Sequence, residues 1–136
     1  MKNFYYLFIS GSLFLMGCSK DDDTNGEKPK SNTIAMFANP NNFEVLSCDD
    51  RSSRQSSPGA AVTIYMANQH DQDTLHVYWV DFAGNETRYS DNLHPGRIRE
   101  QPTFATHPWV ITRKNGECVG MVVTKASANN DTIYFR

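Results

Sequence analysis

The chain has 136 residues, of which 39 % are hydrophobic and 21 % charged, and its formal net charge is −2. One domain is the default at this length, and so modest an apolar share leaves part of the chain outside any core. The near-neutral balance supplies no strong field for nucleic acid, which is not expected as a partner.

Residues 1–17 carry one lysine, then an apolar run, then Gly17 before Cys18. This is the pattern of a secretion signal, too short and poorly flanked for a permanent membrane helix. Leu15-Met16-Gly17-Cys18 resembles a bacterial lipobox, which implies that Cys18 is lipidated and opens the mature chain. The Ser19-Lys20-Asp21-Asp22-Asp23 that follows is similar to the export signal of Bacteroidetes surface lipoproteins. Together they imply a protein held by acyl chains on the outer face of a bacterial outer membrane. Residues 18–32, rich in Asp, Asn, Gly and Lys, read as the lipidated cysteine and a flexible tether that cannot bury enough surface to fold.

From residue 33 to 136 the pattern is short strands and turns. Runs at 33–38 and 43–48 flank the turn cluster Asn39-Pro40-Asn41-Asn42, and 49–59 is a polar loop. Strands are expected at 61–67 and at 74–82, the latter rich in branched and aromatic residues. The chain turns at Ala83-Gly84-Asn85, returns over 86–90, and turns again at Leu93-His94-Pro95-Gly96. Strands at 108–113 and 118–124 flank Lys114-Asn115-Gly116, a hairpin signal, and a last strand spans 131–135. No window has helical periodicity, so the fold class is all-β, a sandwich or barrel.

With Cys18 assigned to the anchor, Cys48 and Cys118 remain as an even pair in a secreted chain. They form a disulfide or stay as two small buried thiols, and spacing leaves both open.

The octapeptide TFATHPWV, residues 103–110, is the candidate site. In an extended segment Thr103, Ala105, His107 and Trp109 share one face, with a hollow at the small Ala105. Pro102 and Pro108 lack N–H groups, which confines the stretch to an edge or to irregular backbone. Donors and an aromatic ring on an open edge suit an incoming peptide, while a core Trp109 and a structural His107 are the plainer alternative. In the strand 74–82, Leu75, Val77, Trp79 and Asp81 form one face, and His76, Tyr78, Val80 and Phe82 the other. An acid beside Trp79 makes the first face the wetter one and leaves Tyr78, Val80 and Phe82 for burial.

Signatures of catalysis are missing. There is no G-x-S-x-G and no H-E-x-x-H, and His70, His76, His94 and His107 lack metal-ligand spacing. No catalytic residue, metal or cofactor is expected. Asp49-Asp50 reads as a solvated turn, and Arg88, Arg97 and Arg99 as rim charges open to an acidic peptide.

VYWVDFAGNETRYSDNLHPGRIREQPTFATHPWVI, residues 77–111, resembles the β-domain of the von Hippel-Lindau tumour suppressor. The likeness extends back through VTIYMAN (62–68) and forward through ECVGMVV (117–123), covering roughly 60–136. It implies a β-sandwich that binds a hydroxylated proline within an extended peptide. By position it makes Trp79, Tyr89 and Trp109 the aromatic wall and His107 a contact to the ring hydroxyl. Thr103 stands in the place of a serine, Asp81 in that of an asparagine and Pro102 in that of a histidine. The family's helical part has no match here, so ubiquitin-ligase subunits are not expected as partners. The reading is a lipid-anchored surface module for proline-rich or hydroxylated peptides or proteins. The alternative is a structural or adhesion domain that binds glycan or another envelope protein.

Overall fold

Among the described residues, nine strands fold into two sheets that face each other across one apolar layer. The computed structural model describes residues 33–89 and 91–136, so the expected signal, the expected lipidation of Cys18 and the expected tether lie outside the described residues. The first sheet has the order β1 (Met36–Phe37), β9 (Thr132–Phe135), β3 (Ala61–Asn68), β6 (Ile98–Phe104). The second runs β2 (Phe43–Leu46), β8 (Cys118–Thr124), β7 (Pro108–Arg113), β4 (Leu75–Val80), β5 (Glu86–Arg88). Neighbours are antiparallel except β3 and β9, which are parallel. The all-β sandwich expected from the sequence is the fold observed.

Alternation places the core. Ile64 and Met66 of β3 and Ile133 and Phe135 of β9 point inward from one sheet. Leu75 and Val77 of β4, Trp109 and Ile111 of β7, and Val122 of β8 meet them from the other. Trp79 belongs to this same inner face, where it packs against the core at its margin. The expectation for β4 is therefore corrected. The Leu75, Val77, Trp79 face is the interior one; on the other face Val80 is buried and Tyr78 half-buried, as expected, whereas Phe82 is 54 % exposed. The branched residues Leu75 and Val77 outweigh the polarity of Asp81, which lies beyond the strand.

The opposite face of the second sheet carries a smaller cluster of Val80, Val110 and Met121. A 3-10 helix, Cys48–Ser53, packs there in place of the expected polar loop. It opens with a capping box: Ser47 Oγ accepts from Asp49 N and Asp50 Oδ2 accepts from Ser47 N, both at 3.2 Å. Three ties hold it to the sheet. Cys48 and Cys118 form a disulfide, Arg51 makes a two-pronged ion pair with Glu86, and the Arg51 guanidinium lies over the Tyr78 ring. The two cysteines left open by the sequence are thus joined, with Cα atoms 6.1 Å apart.

The 97–104 region is a further difference. No strand is expected there, yet β6 pairs with β3 along its whole length and forms the free edge of the first sheet. Pro102 is tolerated at that edge, as its missing N–H predicts. Residues 103–109 are not one extended segment. The chain turns at Ala105 and Thr106 and crosses from the first sheet to the second. Pro108 opens the interior strand β7, where a first residue needs no ladder donor.

Candidate functional site

The crossover at 105–106 creates the site, because it brings the end of β6 against the start of β7. Trp79 of β4 and Trp109 of β7 are direct cross-strand partners, so both indoles lie on the inner face at one end of the sandwich. Trp109 is 1 % exposed and forms the floor, and its Nε1–H has no hydrogen-bond partner among the described residues. Tyr89 follows β5, is fixed by its N–H to the Val77 carbonyl, and meets Trp109 edge-on at 5.2 Å. Thr103 reaches in from the facing sheet and His107 from the crossover. A cavity of about 160 Å³ lies between these side chains, with Pro102 and Phe104 at its lip.

Two of these groups are polar, and their geometry is specific. Thr103 Oγ1 and His107 Nδ1 are both buried and lie 3.4 Å apart, near the outer limit of a hydrogen bond. Burial pushes the His107 pKa below its ordinary 6.5, so the ring is neutral at pH 7 and offers one donor and one acceptor. Around the imidazole stand Trp79 at 5.4 Å, Phe82 at 5.6 Å and Phe104 at 5.2 Å. A second, more apolar recess shares Trp79, Phe104 and His107 and is completed by Pro58, Gly59 and Phe82. The two recesses adjoin at these three shared rings, beside the free edge of β6.

Of the six residues singled out in the sequence for binding, Trp79, Tyr89, Thr103, His107 and Trp109 converge on one cavity. Asp81 does not. Its Oδ1 accepts from the backbone N–H groups of Ala83 (2.8 Å) and Asn85 (2.7 Å), so it builds the β4–β5 turn. Those bonds, the one from Asn85 first, hold its carboxyl below the ordinary carboxylate range. Among the expected rim arginines only Arg99 reaches the cleft, with its guanidinium 5.1 Å from the Tyr89 ring centroid. Arg88 instead bonds His76 and Asn92 on the outer face.

Sequence reasoning missed Phe104, Phe82 and Ser56. Phe104 and Phe82 are exposed rings whose place depends on β6 and on the β4–β5 turn. Ser56 Oγ accepts from Trp79 Nε1 at 2.9 Å and donates to the Val80 carbonyl at 2.5 Å. Nothing in a polar Ser-rich stretch announces that contact.

The two-sheet sandwich is thus opened at one end by a sheet-switching turn and lined there with two indoles, a phenol and an imidazole. The chain belongs to the VHL beta domain family, whose model matches residues 52–126. That family's domain is known as a fold that binds hydroxyproline peptides. No curated protein matches the chain as a relative.

Proposed function

We propose that this protein is a lipid-anchored binding module that takes a proline or hydroxyproline ring of an extended peptide into the Trp79–Tyr89–Trp109 cavity. The cavity carries the reading. Its volume of about 160 Å³ suits one small ring, since pockets for drug-sized ligands run to roughly 300–1,000 Å³. Proline is rigid and apolar and stacks on aromatic faces with little loss of entropy. A hydroxyl on that ring would meet Thr103 Oγ1 and His107 Nδ1, whose long mutual contact leaves both free to engage it. The β6 edge offers unpaired backbone groups to the rest of the peptide, the usual means of strand addition. The role is binding rather than catalysis.

The lipobox-like Leu15-Met16-Gly17-Cys18 and the Lys-Asp-Asp-Asp run after it support display on a bacterial outer membrane. Peptides that differ by one hydroxyl on a single proline test the reading by calorimetry. Saturable one-to-one binding that weakens on His107→Ala is expected, and binding to neither peptide would refute it. Phe82 (54 % exposed) and Phe104 (48 % exposed) favour a second reading, because exposed rings also stack on sugars. A glycan-array hit with no peptide binding would replace the first reading by that one.

A further inference from the structure

Thr106 is a β-branched residue with φ of 75°, a backbone conformation that such side chains rarely adopt. Strain of this kind persists only where its surroundings over-determine it. Here β8 holds the backbone, with Thr106 N donating to the Thr124 carbonyl at 2.6 Å, and residues 56–60, a strap that runs from the 3-10 helix side to the start of β3, hold the side chain and the turn before it. Thr106 Oγ1 donates to the Ser57 carbonyl at 2.5 Å, and Ala105 N donates to the Ala60 carbonyl at 2.8 Å. Gly59 lies so close to the turn that an added Cβ would fall 2.1 Å from the Ala105 carbonyl oxygen. The other side of the same strap holds the adjoining wall of the cleft, Trp79, whose ring lies 5.4 Å from that of His107. Ser56 Oγ accepts the Trp79 indole N–H, and Ser56 N donates to the Asp81 carbonyl at 3.0 Å.

We propose that Thr106, Ser57 and Ser56 act as a latch that fixes the distance between the Trp79 and His107 walls, so that affinity is set by residues that touch no ligand. Adjacent strap residues grip the two walls: Ser56 takes the indole of one and Ser57 the turn that carries the other. His107 follows Thr106 directly, so the torsion at Thr106 aims the imidazole at Thr103. A glycine at position 106 would satisfy φ more easily but would cut the side-chain tie to Ser57, leaving the turn to its backbone bonds alone and so looser against the strap. The strain is thus the consequence of keeping a hydroxyl where its bond to Ser57 is needed. Thr106 is a positioning residue. The effect on affinity rests on the peptide-binding reading, whereas the latch itself is a property of the free protein.

The test compares Thr106→Gly, Thr106→Ser and wild type as full chains. Thr106→Gly is expected to keep or raise the denaturation midpoint while speeding hydrogen exchange at the Trp79 indole N–H and giving His107 a mixed tautomer signature by NMR. Affinity for a hydroxyproline peptide should fall about tenfold, as pre-organisation is lost. Thr106→Ser keeps the hydroxyl and should restore both the exchange protection and the affinity. Unchanged Trp79 exchange and His107 signals in Thr106→Gly would overturn the latch, as would a failure of Thr106→Ser to restore them. These two signals need no ligand. If wild type binds no peptide, the recognition reading falls, and the indole and imidazole signals still decide the latch.

Discussion

Thr103 Oγ1 and His107 Nδ1 lie 3.4 Å apart across the cleft, although a strained turn separates them in the chain and carries it from one sheet to the other. The pair is buried, polar and only loosely bonded to itself. A site of this kind discriminates by stranding its own polar groups when a ligand lacks the matching hydroxyl. Thr103→Val preserves shape and removes the hydroxyl. It is expected to cut any preference for hydroxyproline over proline by about tenfold or more, the worth of roughly 1–3 kcal/mol for an unmet buried group. Parallel titrations with the two peptides read this directly, and an undiminished preference would show that the pair does not contact the hydroxyl.

The two indoles should separate stability from binding. Trp109 is 1 % exposed and anchors the core, so Trp109→Ala is expected to cost about 3–5 kcal/mol. That is a large part of the roughly 5–15 kcal/mol that a domain has. Trp79 is half-buried at the margin, and Trp79→Ala should lose less stability but nearly all peptide binding. Urea denaturation beside a peptide titration distinguishes the two. Equal stability losses for both variants would contradict the assignment of floor and wall.

The disulfide joins residues 70 apart in sequence and holds the 3-10 helix from which the strap departs. Closing a loop of that length stabilises by about 4 kcal/mol on a chain-entropy basis. Reduction, or a paired Cys48→Ala and Cys118→Ala substitution, should lower the denaturation midpoint accordingly. A midpoint indifferent to reductant would argue against it.

Acid should weaken both fold and binding. His107 and His76 have pKa values lowered chiefly by burial, with Arg88 and then Lys114 contributing at His76. The unfolded chain then binds more protons than the native one just below pH 6.5, so stability is full above that pH and falls as pH descends through it. Protonation of His107 also converts its acceptor nitrogen into a donor, so affinity should decline as pH falls through the lowered pKa of the native ring. The depressed Asp81 carboxyl adds a further loss below its ordinary 3.8. Asp81→Ala should reduce stability and leave affinity unchanged, because its bonds are spent in the turn. Affinity that stays level while the His107 NMR signal shows the ring taking up its proton would contradict the role given to His107.

Much of the fold is legible in the residues, and the reasons for the gaps are physical. Ala61–Asn68 and Leu75–Val80 announce themselves by branched and aromatic content, and Asn115-Gly116 marks its hairpin, with Gly116 at φ of 90°. Ile98–Phe104 does not, because an edge strand with a wet outer face reads Ile-Arg-Glu-Gln-Pro-Thr-Phe, and Ile98 is 68 % exposed. The turn at Thr106 is invisible for a different reason: positive φ is signalled by glycine or asparagine, and here a threonine occupies it, bonded to Ser57 through its side chain and to Thr124 through its backbone. The helix Cys48–Ser53 was marked by Ser47 and Asp50 at capping-box spacing, a cue hidden in a run of serines. For the cleft, alternation alone would have put Thr103 and Trp109 on one strand face. They converge through the crossover between sheets, and resemblance to the family, not periodicity, points to that meeting.

Side-chain NMR of the wild-type protein during addition of a hydroxyproline peptide addresses the central claim most directly. The account predicts saturable shifts confined to the Trp79 and Trp109 indoles, the Tyr89 ring and the His107 imidazole. Shifts elsewhere on the sandwich, with those four rings unmoved at saturation, would contradict it.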